Sequence, residues 1–262
     1  RVPITWWTFE EVGHNDAANK EMRALFGSKT PFDTPKPSTL IKQIVQIASD
    51  KDSIILDFFS GSATTADAVM QLNAEDNGNR RFIMVQVPEN CVEGSYGQKA
   101  GYKTICEIGK ERIRLAGKKI IQDNDSVDVG FRVFKVDDSN MNDVYYSAEE
   151  YTQDLLGMLE SNVKQDRTDL DLLFGCLLEW GLPLSLPYAS EEIEGCKVHT
   201  YNEGDLIACF DENIPDSVIK EITRRQPLRA VFRDSSFNGS PSKINVGEIF
   251  KMLAPDTRVK VI

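Results

Sequence analysis

The chain has 262 residues, 41% hydrophobic and 27% charged, and 30 basic against 41 acidic side chains leave a formal net charge of −11. This is ordinary globular usage and excludes a disordered chain, a collagen-like fibre and a coiled-coil rod. The acidic balance argues against this chain alone gripping a phosphate backbone, which needs a basic face.

No stretch approaches the roughly 18 uninterrupted apolar residues of a membrane span, and no signal-peptide pattern is visible. Cys91, Cys106, Cys176, Cys196 and Cys209 form no C-x-x-C pair, and only His14 and His199 could help them hold a metal. The sequence therefore predicts no metal site and reduced thiols in a cytoplasm. Cys106, Cys176 and Cys209 read as small core hydrophobes.

An aromatic opening (Trp6, Trp7, Phe9) leads through Gly13-His14-Asn15 to a helix-like stretch over Ala17–Phe26. Pro31, Pro35 and Pro37 break it and favour extended backbone before each. Leu40, Ile41, Ile44, Val45 and Ala48 then recur at helical spacing. Residues 53–59 (SIILDFF) read as a strand buried on both faces. Ser60–Thr65 is a small-residue turn, Ala66–Leu72 a helix, and residues 81–87 (RFIMVQV) a second buried strand. Strand, turn, helix and strand make a βαβ unit with parallel pairing.

A third helix is expected over Lys99–Ala116, an acidic linker over 122–129 and a strand over Phe131–Val136. Leu155, Leu156 and Leu159 suggest a helix, and Asp169–Trp180 another, stopped by Gly181 and Pro183. Lys197–Tyr201 and Asp205–Phe210 read as a hairpin. Residues 217–225, 228–233, 246–253 and 258–262 then alternate helix, strand, helix, strand. The fold class is α/β, in two domains at about 1–125 and 130–262.

The turn at 57–65 (DFFSGSATT) carries the sharpest chemistry. Small residues let a ligand approach the backbone, and amides at a helix start favour an anion. Asp57 stands at the carboxyl end of its strand, where open α/β sheets bind ligands. A carboxylate there suits a cationic group such as an ammonium. Spacing alone leaves a second reading, in which Asp57 caps the turn and the small residues serve helix–sheet packing. The turn has neither G-x-G-x-x-G nor a following G-K-[ST], so it is no dinucleotide fingerprint and no P-loop.

The segment D-F-F-S-G-S-A-T-T resembles the S-adenosylmethionine-binding motif of amino-DNA methyltransferases, usually D-P-F-x-G-S-G-T-T. Phe32-Asp33-Thr34-Pro35-Lys36-Pro37, with the helix after it, resembles that family's Lys-Pro cofactor motif. The order of the two is that of the β group. Trp6-Trp7, Gly13-His14-Asn15, residues 72–76 (LNAED), 82–89 (FIMVQVPE) and 130–135 (GFRVFK) are similar to modification subunits of type III restriction–modification systems. So are Ser139-Asn140, Asp169-Leu170, Gly181-Leu182 and residues 237–245.

The resemblance implies a Rossmann-like methyltransferase sheet, present in part, followed by a small α/β domain for subunit assembly. It implies that Asp57 lies near the methionine ammonium and that Phe58, Phe59, Ser60, Gly61 and Ser62 wall the methionine and ribose. Thr64 belongs to the same motif. Thr34, Lys36 and Pro37 would line the carboxylate side, and Glu89 would accept from the ribose hydroxyls. An acidic residue past the second strand also suits a ribose on topological grounds, with a solvated loop carboxylate as the other reading.

Two features depart from the family. Ala63 stands where it usually has Gly, so a positive φ there would cost stability, and the methyl could crowd the cofactor. The catalytic Asp/Asn/Ser-Pro-Pro-aromatic motif, which holds a flipped base, is absent, and in the β order it would precede Arg1. The resemblance therefore implies the cofactor-binding half of an enzyme that methylates adenine N6 in DNA, inactive alone. Implied partners are double-stranded DNA through segments outside this chain, a second modification subunit and a restriction subunit, with no membrane. The alternative is a non-catalytic scaffold of the same complex.

Overall fold

The computed structural model describes residues 5–27, 29–142, 162–237 and 239–262. Two compact units divide the chain, Arg1–Phe131 and Arg132–Ile262.

The first unit opens with α1 (Phe9–Val12), α2 (Asn15–Phe26) and α3 (Ser38–Ala48). Pro37 caps α3, its φ of −64° suiting a helix start and its missing N–H being no loss there. Gly13 has φ +80°, and a Cβ on it would meet Thr39 Oγ1 at 2.9 Å and Pro37 Cβ at 3.0 Å, so only glycine lets α1 end against α3.

Strands β1 (Ile54–Phe58) and β2 (Arg81–Val85) then pair in parallel, with α4 (Thr64–Asp76) between them in sequence. Ile54 lies opposite Arg81, Asp57 opposite Met84 and Phe58 opposite Val85. α4 carries Ala66, Ala68, Val69, Met70 and Leu72, all buried. One side of it packs on Val45 of α3 and the other on Ile113 and Ala116 of α6 (Ile105–Asp123). The connection from α4 to β2 is closed by Asn73, whose Nδ2 donates to the Arg80 carbonyl at 2.9 Å and whose Oδ1 accepts from the Arg80 N–H at 3.1 Å. The Arg80 guanidinium grips Asp76 through two nitrogens and holds its carboxyl below the usual range.

Three expectations need correction. β1 and β2 are not buried on both faces. Ile55, Phe82 and Met84 face the helices, but Ile54, Leu56, Phe58, Ile83 and Val85 are 48–63% exposed. Among the described residues nothing covers that apolar face. The third helix is two pieces, α5 (Tyr96–Lys99) and α6, because Gly101 at φ +95° and the extended Thr104 interrupt it; α6 also runs on into the acidic linker. Residues 131–136 form no strand. Arg132 instead donates to the carbonyls of Leu184 and Leu186 and lies over the rings of Phe174 and Tyr188, at 5.6 and 5.4 Å. The helix expected at Leu155, Leu156 and Leu159 falls outside the described residues.

The second unit has α7 (Asp169–Glu179), β3 (Tyr188–Ile193), β4 (Cys196–Tyr201), β5 (Leu206–Cys209), α8 (Asp216–Arg224), β6 (Arg229–Phe232), α9 (Ser240–Leu253) and β7 (Arg258–Val261). Its sheet has the order β3-β4-β5-β6-β7, antiparallel as far as β5 and parallel beyond. Alternation along the strands divides two cores. Ile207, Cys209, Ala230 and Phe232 meet Val218, Ile219 and Ile222 of α8 and Val246 and Phe250 of α9. Leu206, Ala208 and Val231 meet Leu172, Leu173 and Leu177 of α7. Cys176 and Cys209 lie in these cores, and burial pushes their thiols up to about 11 and about 12.

Two stability predictions follow from burial. Ile55→Ala removes a side chain packed on Val45, Val69 and Leu72 and costs about 2 kcal/mol, whereas Leu56→Ser on the open face changes stability by less than about 0.5 kcal/mol, both read from urea unfolding. His199 is fully enclosed, and its desolvation outweighs the pull of Asp169 and lowers its pKa from 6.5. The unfolded chain then binds this proton more tightly, so stability contributed by neutral His199 falls as pH drops from about 6.5 towards the lower folded value. His199→Gln flattens the pH dependence of the urea midpoint in that window.

Candidate functional site

Parallel pairing brings the carboxyl ends of β1 and β2 to one edge. There Phe59 and Ser60 leave β1, and Gln86 to Glu89 leave β2. The two ends are laced together. The N–H groups of Phe59 and Ser60 both donate to the Val85 carbonyl, at 2.8 and 3.1 Å. Gly61 N–H donates to Gln86 Oε1 at 2.7 Å, and Ala63 N–H to the Ser60 carbonyl at 2.8 Å. The turn is therefore less bare than its small side chains suggest, because much of its amide complement is already engaged.

Every second residue of the turn is left-handed: Phe59 at φ 74°, Gly61 at 53° and Ala63 at 57°. A bulky residue in that region is uncommon and strained. At Gly61, an added Cβ would also stand 3.2 Å from the Phe32 ring, which covers the turn from the Lys-Pro segment. Ala63 does adopt the positive φ that glycine would take more cheaply. Its methyl packs in the core with Met70, Ile113 and Ala116, facing α6.

The predicted residues are distributed as follows. Asp57 is half-buried on the helix-covered face, and one of its carboxylate oxygens accepts from the Thr65 hydroxyl. Phe58 points the other way, onto the open face, so its ring does not share a side with Asp57. Phe59 is 71% exposed at the edge itself. Ser60 and Gly61 are half-buried beside it. Ser62 and Thr64 are buried, and their hydroxyls turn inward: they meet each other at 3.2 Å and accept from Arg112. Thr34 and Lys36 are exposed and Pro37 is buried. The Lys36 carbonyl accepts from the Thr64 hydroxyl at 3.4 Å, which sets the Lys-Pro segment against the turn. Glu89 is exposed past β2, its N–H on the Val87 carbonyl and its own carbonyl accepting from Ile105 N–H, the first residue of α6.

His14 is structural: its Nδ1 accepts from Ala17 N–H at the start of α2, and its ring stacks on Phe9. Trp6 is 76% exposed and so is no core residue. Sequence reasoning missed Gln86 and Arg112 as parts of this corner, and gave Phe32 only as a member of the Lys-Pro motif. Arg112 had a signal, a charge falling at an inward position of α6, four residues after Ile108 and beside Ile113.

Chemically, the edge offers the Asp57 carboxylate, one of whose oxygens has no hydrogen-bond partner among the described residues, together with the exposed Phe59 ring, the exposed Glu89 carboxylate and the exposed Lys36 of the Lys-Pro segment. Such a set can grip a zwitterionic amino acid and a hydroxyl-bearing ring. Gly61→Ala introduces both a strained φ and a contact with Phe32, and lowers stability by about 1–2 kcal/mol in urea unfolding.

Residues 1–118 match the DNA methylase family. Over 129 residues the chain is 44% identical to the Mod subunit of the type III restriction-modification enzyme StyLTI of Salmonella typhimurium, covering 48% of this chain and 20% of that protein. It is 29% identical over 252 residues to the Mod subunit of EcoP15I of Escherichia coli, covering 90% and 36%. Over 100 residues it is 36% identical to the type II methyltransferase M.KpnI of Klebsiella pneumoniae, covering 38% and 24%. The chain thus spans between about a fifth and about a third of the length of these relatives. Its first 118 residues match the DNA methylase family, and the chain is similar to the modification subunits of type III restriction–modification enzymes.

Proposed function

We propose that this chain carries the S-adenosylmethionine-binding half of a DNA methyltransferase acting on adenine N6 within a type III restriction–modification complex. The observation that carries the reading is Asp57, a half-buried carboxylate at the carboxyl end of a parallel strand, beside a tight turn inside the family-matched region. In this reading the free carboxylate oxygen of Asp57 holds the methionine ammonium. Lys36, with Thr34 and Pro37, flanks the methionine carboxylate. Phe58, Phe59, Ser60, Gly61, Ser62 and Thr64 build the wall, Phe58, Ser62 and Thr64 through backbone alone. Glu89 accepts from the ribose hydroxyls.

The cofactor supplies an electrophilic methyl on a sulfonium, and the protein's work is to hold it in line with an extruded base. The sheet would be of Rossmann type, completed by further strands and layers of the whole enzyme. The open face of Ile54, Leu56, Phe58, Ile83 and Val85 supports this, since parallel sheets are covered on both faces. Base extrusion and DNA contact would lie outside this chain, consistent with its net charge of −11. Residues 130–262 would serve assembly with a second modification subunit and a restriction subunit, in the cytoplasm.

A second reading, a non-catalytic scaffold of the same complex, is favoured by one feature: the amides of Phe59, Ser60, Gly61 and Ala63 already have partners within the chain. Titration calorimetry on the intact gene product separates the two. The proposal expects saturable binding of S-adenosylmethionine, no binding of NAD, and a loss of about tenfold or more in affinity in Asp57→Ala. Wild-type protein that binds neither leaves the scaffold.

A further inference from the structure

We propose that Arg112 is the positioning residue that sets the turn and the Lys-Pro segment at the spacing the cofactor requires; this rests on the functional reading above. Arg112 comes from α6, and its side chain is fully enclosed. Its Nε and Nη2 donate to Asp67 Oδ2 at 3.1 and 3.0 Å. Its Nη1 donates to Ser62 Oγ at 3.1 Å and to Thr64 Oγ1 at 2.7 Å. Nη2 also lies 3.9 Å from Glu21 Oε2, and that same oxygen accepts from the N–H of Ser38, the first residue of α3.

One guanidinium therefore reaches both halves of the candidate site. Through Ser62, Thr64 and Asp67 it fixes the turn and the first turn of α4. Through Glu21 it fixes the start of α3, immediately after Lys36 and Pro37. Thr64 closes the circuit with its bond to the Lys36 carbonyl.

Net stability does not account for such an arrangement. A buried ion pair exchanged for apolar side chains of similar volume is often neutral in stability, because its desolvation cost is of the same order as its attraction. What the guanidinium adds is direction, since its planar fork fixes several acceptors at once. Ser62 and Thr64 owe their inward orientation to it, and the Ser62 backbone forms part of the proposed wall.

The test uses the intact gene product with three replacements. Arg112→Lys keeps the charge but cannot bond Asp67 through two nitrogens while also holding both hydroxyls. Arg112→Met paired with Asp67→Leu removes both charges and keeps the volume. Arg80→Lys makes the lysine change at another buried arginine of this unit, whose partners Asn73 and Asp76 lie at the far end of α4. Calorimetry gives the Kd for S-adenosylmethionine, urea unfolding gives stability, and steady-state DNA methylation gives KM and kcat.

Both Arg112 replacements are expected to weaken binding by about tenfold or more, the scale on which hydrogen-bond partners one layer behind a site act. KM for the cofactor should rise with them, while kcat at saturation changes far less. Arg80→Lys should leave Kd within about twofold whatever it does to stability. Wild-type affinity in the paired replacement overturns the assignment. So does a loss in Arg80→Lys that matches Arg112→Lys at equal loss of stability. Wild-type protein without saturable binding instead ends the functional reading itself, an outcome distinct from either.

Discussion

A fully enclosed guanidinium is costly unless its donors find acceptors, and in the first unit Arg112 finds them in Asp67, Ser62 and Thr64. Arg112 cannot be enclosed unless Asp67, Ser62 and Thr64 turn towards it, and they can do so only if α4 begins where it does. The start of α4 in turn forces the chain leaving β1 to climb through three left-handed residues within five positions. Ala63 accepts an unfavourable φ there in exchange for a methyl buried against α6. The strained turn and the buried ion pair are therefore one feature seen from two sides.

The same geometry explains what the edge offers and what it withholds. Amides at a helix start are an anion site in the abstract. Here Val85, Gln86 and Ser60 take the amides of residues 59, 60, 61 and 63 in the turn that leads into α4, and the hydroxyls of Ser62 and Thr64 face inward. The side chains left at the edge are charged or aromatic: the half-buried Asp57 and the exposed Phe59, Glu89 and Lys36. A ligand recognised through them would carry its own ammonium, carboxylate and hydroxyls. That is amino acid and sugar chemistry more than phosphate chemistry.

Much of this was legible in the sequence. Period-two and period-3.6 patterns, prolines and small-residue turns foretold β1, α4, β2 and the helix after Pro37, and in the second unit α7, the β4–β5 pair and the alternation after residue 216. Periodicity could not tell whether apolar strand residues are covered, so Leu56 and Ile83 read like Ile55 and Phe82. It could not see β3, whose Ser190, Glu191 and Glu192 lack an apolar face because that edge strand is mostly exposed. It placed the start of α6 six residues early, because helical spacing runs through Gly101 while the backbone does not. Of the site, the turn and the Lys-Pro segment were visible as local motifs. Gln86 and Arg112 were not, since each acts through a partner at least 25 residues away in sequence, and only the fold brings them together.

The central claim is that the edge at the carboxyl ends of β1 and β2 holds S-adenosylmethionine. Ultraviolet cross-linking of methyl-labelled S-adenosylmethionine to the intact gene product, followed by peptide mapping, reads that location without relying on turnover. The account predicts that the label falls within residues 57–62, the segment that carries the exposed Phe59, and is displaced by unlabelled cofactor. Saturable label carried elsewhere, with none in that peptide, would contradict it.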